Sequence, residues 1–249
     1  DLSSLVDMMY GASPMPEAVV RRAMEVMPHT RFHHSYGQTE SAPILAMLEP
    51  DRHVLDPAVS KLGSCGQAVL GVELKIVDED DGEVPAGTVG ELCARGDNVM
   101  LGYWQQPELT AQALRNGWLH TGDGARMDED GYVFIVDRVK DMIISGGENV
   151  YSAEVEDAIY QHEAVVECAV IGIPHEKWGE QVHAIIRLHD GQNVNDQAIM
   201  DHCHALIAAF KCPRSVEFRA DPLPLSGAGK ILKTALREPF WAGQDKGVN

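Results

Sequence analysis

Positive charge is scarce in this chain: 20 Lys and Arg stand against 38 Asp and Glu, for a formal net charge of -18. A field of that sign repels nucleic acid and anionic lipid, which excludes general polyanion binding. It does not exclude a small anion such as a nucleotide. Backbone donors and a few nearby cations outweigh charges lying beyond a Debye length of about 8 Å. Long apolar runs are missing too. No stretch approaches the ~18 residues of a membrane-spanning helix, and no basic start leads into an apolar segment at the N-terminus. The cysteines Cys65, Cys93, Cys168, Cys203 and Cys212 are odd in number and form no CxxC pair, which argues against a disulfide framework. A reduced, soluble, cytoplasmic chain is expected.

What is present suits one or two globular domains: 249 residues, 45% of them hydrophobic. The charge is uneven, because residues 205–249 carry seven Lys/Arg against four Asp/Glu. That tail is the cationic part. The chain begins at Asp1 without a methionine and enters an apolar strand pattern almost at once, as a piece of a longer polypeptide would.

Leu5 to Tyr10 reads as a strand ending at Gly11, and Pro16 opens a helical pattern to Met27 with Ala18, Val19, Ala23, Val26 and Met27 on one face. This predicts the end of an α/β layer over residues 1–60. Short β runs with Gly/Asp turns follow at Val72–Val77, Val89–Ala94 and Tyr132–Val136, predicting a small β-barrel subdomain over 61–139; the acidic run Asp78 to Glu83 between two of them reads as a solvated turn. The polar Asp137–Asp141 segment marks a second boundary. Beyond it, helices at Ser152–His162 (Glu154 lying three residues after a candidate cap), at Asp196–Ala208 and after Gly229 alternate with strands at Val165–Ile171, Gln181–Leu188 and Ser215–Arg219. A separate α+β domain is expected over 140–249.

Four segments carry chemistry. Tyr36-Gly37-Gln38-Thr39-Glu40 places an aromatic face, a glycine, a hydroxyl and a carboxylate within five residues, which alone reads first as a polar loop after a strand and is also suited to a purine, a phosphate and Mg²⁺. His120-Thr121-Gly122-Asp123, with Arg138 fifteen residues on from Asp123, offers a carboxylate and a guanidinium to ribose hydroxyls, or forms a plain β-turn. Ser145-Gly146-Gly147 allows a ligand to approach the backbone closely, or closes a hairpin. Lys230 on the Gly227–Gly229 loop can neutralise a carboxylate and a phosphate together. It is no P-loop lysine, because Ile231 stands at the Ser/Thr position.

In this order the segments resemble the adenylate-forming superfamily of acyl-CoA synthetases, luciferases and peptide-synthetase adenylation domains, with fatty-acyl-CoA synthetases the nearest in pattern. The resemblance runs the whole length of the chain. Gly11-Ala12-Ser13-Pro14 resembles the loop flanking adenine and acyl pocket, Gly90-Glu91-Leu92 with Gly102-Tyr103 the barrel motif, and Asp137-Arg138-Val139-Lys140-Asp141 the hinge. It implies an ATP-dependent acyl-CoA ligase acting on a small-molecule carboxylate, here as the C-terminal portion without the N-terminal phosphate loop, and therefore weak or inactive alone. The implied cofactors are ATP, Mg and coenzyme A. The implied roles are adenine stacking for Tyr36, phosphate binding for Thr39, metal binding for Glu40, ribose binding for Asp123 and Arg138, and transition-state charge stabilisation for Lys230. Gly147, beside Gly146, would line the pantetheine path, and Trp178, Lys211 and Arg214 would meet the CoA nucleotide after rotation about Lys140. Carrier-protein loading, an aromatic carboxylate and a non-catalytic nucleotide-binding or dimerising module are the alternatives, and a homodimer is left open. Asp201-His202-Cys203-His204 offers metal-capable side chains on different helix faces and is expected to bind none. Cys168 and Cys203 are expected as buried structural thiols.

Overall fold

The computed structural model describes residues 1–242 except 14, 57, 139, 140 and 228. The chain divides into two units, Asp1–Val139 and Lys140–Asn249.

In the first unit, β1 (Asp7–Gly11) leads through Pro16 into α1 (Glu17–Val26) and back along β2 (Arg31–Tyr36), parallel to β1 with Gly11 opposite Ser35. β3 (Ala46–Leu48) and β4 (Gln67–Ala68) extend this sheet antiparallel. The face of α1 differs from expectation. Val20, Ala23, Met24 and Met27 pack with Tyr10, Phe32 and Leu62, while Val19 and Val26 are exposed. The buried stripe is the i, i+3, i+4, i+7 series from Val20, rotated from the one read around Val19.

The second sheet of this unit contains β5 (Val72–Val77), β6 (Gly90–Gly96), β7 (Leu114–Arg115), β8 (Trp118–Met127) and β9 (Val133–Arg138), with α2 (Pro107–Ala113) between β6 and β7. Its order is β5-β6-β8-β7 with β9 also on β8, all antiparallel. Ile76, Leu92, Ala125 and Val133 share a core with Ala46 of the first sheet. The acidic run after β5 is more than a solvated turn. Asp78 Oδ1 accepts from the Asp80 and Gly82 amides at 3.0 and 2.8 Å, and Asp81 is held by Arg115 at 3.1 Å.

The second unit starts with a hairpin, β10 (Ile143–Ser145) and β11 (Glu148–Val150), and continues through α3 (Ser152–Tyr160), β12 (Val165–His175), β13 (Gly179–Leu188), α4 (Asp196–Leu206), β14 (Ser215–Phe218) and α5 (Lys233–Trp241). Cys168 and Val170 of β12 join Val155, Ile159, Ile199 and Cys203 of α3 and α4 in one core, while Ala169 and Ile171 join Leu236 of α5 in another. Successive strand residues point to opposite faces and both faces are covered, which is why β12 is apolar without alternation. The fold is therefore the expected α/β layer, β subdomain and α+β domain. The expected cap of α3 is absent: Tyr151 makes no side-chain cap, and the Glu154 carboxylate takes Lys211 instead, at 2.6 Å.

Candidate active site

The first unit collects a group of polar side chains around the end of β2 and the bulged middle of β8. Tyr36 closes β2, and its hydroxyl donates to Asp123 Oδ2 at 2.6 Å across 87 residues of sequence. Arg138, at the end of β9, brings Nε to 3.4 Å from Asp123 Oδ1 and faces Asp123 in register. Burial and the adjacent carboxylate push the Tyr36 phenol well above its usual pKa, so it remains a donor. Asp123 is buried, although it lies in a polar segment of β8. Register irregularities against both β6 and β9 explain this: three residues, Thr121 to Asp123, stand opposite Leu92, and Val136 is extra on the other side. Such bulges bend a strand and re-aim its side chains. Gly122, at φ +72°, occupies the left-handed conformation this bend uses.

After Tyr36 the chain makes a 3-10 turn over Thr39–Ser41. Thr39 is exposed and Glu40 half-buried. Glu40 is fixed twice: Oε1 accepts from the Tyr103 hydroxyl at 2.7 Å, and its carbonyl accepts from the Met100 amide at 2.7 Å. Asn98 Nδ2 donates to the Ser41 and Ile44 carbonyls at 2.7 and 3.0 Å, holding the same loop. Sequence reading assigned no site role to Tyr103 or Asn98. Gly102-Tyr103 was visible as a motif, but its partner lies 63 residues away and no local spacing shows that.

A Cβ on Gly37 would meet the Pro43 carbonyl oxygen at 1.9 Å, so a close approach that requires glycine at this position is to the loop's own backbone. Gly11 likewise faces the Ser35 carbonyl, where a Cβ would sit at 2.0 Å, and this places the Gly11-Ala12-Ser13 turn beside the end of β2. Ala12 adopts a left-handed φ of +64°, and Ser13 is exposed.

In the second unit, Gly146 and Gly147 form the two-residue loop between Ser145 and Glu148, at φ +66° and +87°. That is the geometry of a tight primed turn, so hairpin closure accounts for both glycines. A Cβ on Gly146 would touch Trp178 Cδ1 at 3.3 Å, whereas the space beside Gly147 is open. Trp178 lies between the His175 ring, stacked at 4.2 Å, and the Arg214 guanidinium, 3.8 Å above the indole. The structure therefore groups Gly146, Trp178 and Arg214. Lys211 is bound to both Glu154 oxygens, at 2.6 and 2.7 Å. Lys230 sits in a loop closed by the Ser226 amide donating to its carbonyl at 2.7 Å, and its ammonium makes no ion pair among the described residues. Lys140 and Pro14 lie outside the described residues.

Two family models match this chain: AMP-binding enzyme over residues 1–104 and AMP-binding enzyme C-terminal domain over residues 154–230. The chain belongs to the adenylate-forming enzyme superfamily. Among curated relatives of this superfamily, a feruloyl-CoA synthase from Amycolatopsis is 42% identical over 240 residues, covering 96% of this chain and 47% of the relative. The fatty acid–[acyl-carrier-protein] ligase ScoC of Streptomyces coeruleorubidus is 40% identical over the whole chain and 47% of its own length. A long-chain-fatty-acid–CoA ligase of Escherichia coli O157:H7 is 42% identical, with 96% of this chain and 41% of the relative covered. Among solved structures, the amide bond synthetase McbA of Marinactinospora thermotolerans superposes with a TM-score of 0.88 at 37% identity, covering 96% of this chain and 47% of that one. The chain thus spans about half the length of the relatives it matches. Their acyl groups and acceptors differ, so membership of the superfamily does not by itself select a fatty acid. Among the described residues, no helix is long and apolar enough to cross a membrane.

Proposed function

We propose that this chain is the nucleotide-handling C-terminal portion of an ATP-dependent acyl-CoA ligase. The observation supporting this most directly is the Tyr36–Asp123–Arg138 cluster beside the Glu40 turn. The Tyr36 ring offers a face to adenine, and Asp123 offers oxygens to ribose hydroxyls. Its present donors, a phenol and a guanidinium, are of the kind those hydroxyls would join or replace. Thr39 offers an exposed hydroxyl to phosphate. Glu40 presents a hard carboxylate fixed by Tyr103, the donor type that magnesium takes together with substrate phosphates. Magnesium bound there would neutralise charge on the departing pyrophosphate.

A substrate carboxylate oxygen attacks the α-phosphorus and pyrophosphate leaves; the CoA thiolate then attacks the acyl carbonyl, AMP leaves, and the thiol proton goes to solvent. Lys230 is proposed to stabilise the charge that develops in the first step, a role worth roughly 3 kcal/mol. Gly147, with open space beside it, is proposed to line the path of the thiol, and Trp178 with Arg214 to meet the CoA nucleotide. Lys230 and Gly147 belong to one unit yet serve successive steps, so that unit must present each in turn. Lys140 is the proposed pivot: Arg138 before it is held by Asp123, and Asp141 after it by Arg237 at 2.8 Å.

A fatty carboxylate is the proposed substrate. The 42% identity to a feruloyl-CoA synthase favours an aromatic carboxylate as the second reading. Pyrophosphate exchange with a fatty acid, ferulate and a carboxylate-free control, followed by AMP release on adding CoA, tests the proposal in the full-length protein. Exchange with the fatty acid and AMP release that depends on CoA are expected. AMP release equal without CoA, or exchange without any carboxylate, would overturn it.

A further inference from the structure

One cluster of metal-capable side chains lies outside the site just described. Glu91 and Cys93, two residues apart, share a face of β6, and Cys93 stands in register with His120 of β8. Glu91 Oε2 is 2.8 Å from His120 Nδ1, and Cys93 Sγ is 3.3 Å from the same nitrogen. One ligand atom from each residue lies within 4.8 Å of the others, and Cys93 and His120 are buried. A tetrahedral zinc with bonds of about 2.0–2.3 Å holds its ligand atoms about 3.3–3.8 Å apart, so small side-chain shifts bring these three into place.

We propose that Glu91 Oε2, Cys93 Sγ and His120 Nδ1, with a water as the fourth ligand, form a binding site for a thiophilic divalent cation such as Zn²⁺. The surroundings supply the supporting shell. Glu91 Oε1 is already fixed by the Gly122 amide at 3.0 Å, leaving Oε2 for the ion. His120 Nε2 lies 3.8 Å from Asp81 Oδ1, so the ring proton displaced from Nδ1 moves to Nε2 and points at a carboxylate, the arrangement that orients metal-bound imidazoles. Arg115, 3.4 Å from Glu91 Oε2, retains its other partner Asp81 at 3.1 Å. A thiolate, a carboxylate and a neutral imidazole around a dication leave no net charge.

Binding converts the Cys93 thiol to a thiolate and releases its proton to solvent. The thiolate is the ligand form, so affinity falls as pH falls. The site is built on the strand that carries Asp123, and an occupied site ties β6 to β8 beside it.

The test uses the 249-residue chain, stripped with chelator and dialysed against micromolar ZnCl₂ or CoCl₂. About one zinc retained per chain, with proton release, and a tetrahedral cobalt spectrum carrying a thiolate charge-transfer band, are expected. Cys93→Val should abolish both with circular dichroism unchanged, Cys203→Ala should retain both, and Glu91→Gln should weaken zinc at least tenfold. If Cys93→Val does not fold, the Glu91→Gln affinity decides. No zinc retained, cobalt bound without the thiolate band, or unchanged affinity in Glu91→Gln would overturn the site.

Discussion

Tyr36→Phe removes one oxygen and leaves the ring in place, so its consequences follow from the loss of that hydroxyl, whose partners are the Asp123 carboxylate and Thr121. The lost hydrogen bond is 2.6 Å long and ends on Asp123, a carboxylate only 8% exposed. A hydrogen bond to a charged, desolvated acceptor contributes about 1.5–3 kcal/mol, and Arg138 at 3.4 Å on the other oxygen is too long to replace it fully. At about 2–4 °C per kcal/mol for a chain of this size, the melting temperature should fall by about 3–12 °C. Differential scanning calorimetry measures it. The ribose then distinguishes this contact from an ordinary buried one: its hydroxyls can donate to the Asp123 carboxylate in place of the phenol, so AMP should stabilise the Phe variant at least as much as the wild type. A melting temperature within 1 °C of wild type, or a Phe variant that gains less from AMP, would refute the reasoning.

Three other outcomes are expected. Gly37→Ala should largely unfold the first unit, since its Cβ overlaps a carbonyl at 1.9 Å, whereas Gly147→Ala has free space and should cost only about 1–2 kcal/mol for its left-handed backbone; proteolysis of the two variants compares them. Acid should destabilise the first unit through His34 and His53. Burial lowers both below 6.5; His34 stacks on Tyr10 at 4.5 Å, and His53 accepts the Tyr10 hydroxyl at 3.0 Å. The unfolded chain therefore binds more protons, so this stability is complete above pH 6.5 and lost as pH falls through the lowered folded values. Urea midpoints that do not move between pH 7.5 and 5 would contradict this. Lys230→Ala in the full-length protein should slow adenylation by about two orders of magnitude while thioester formation from preformed acyl-adenylate is nearly spared; rapid-quench assays of each half-reaction check it.

The strands that sequence reading found are those whose pattern is local. β5 matches Val72–Val77 residue for residue, and β12 and β13 show as apolar runs because both their faces are covered. β8 was missed as a strand although it is among the longest in the chain. Its bulges and paired glycines break the alternation that marks a strand, and those same irregularities turn Asp123 inward. α2 was missed because it buries no residue and has no apolar stripe to read. The motif residues were legible as types, but their neighbours were not. Tyr36 with Asp123, Glu40 with Tyr103 and Lys211 with Glu154 are joined across 57 to 87 residues by tertiary folding alone. The hairpin that Gly146 closes was legible in the sequence, whereas the Pro43 carbonyl that requires glycine at position 37 was not.

Nucleotide recognition through Asp123 is the central claim, and the ribose hydroxyls test it most directly. Calorimetric titration of the wild-type chain and Asp123→Ala with AMP and with 2′,3′-dideoxy-AMP gives four affinities and one coupling. The account predicts that removing the hydroxyls weakens binding to the wild type by about 10- to 100-fold, the worth of one or two hydrogen bonds to a carboxylate, and leaves binding to Asp123→Ala nearly unchanged. Equal affinity of the wild type for the two nucleotides would contradict it.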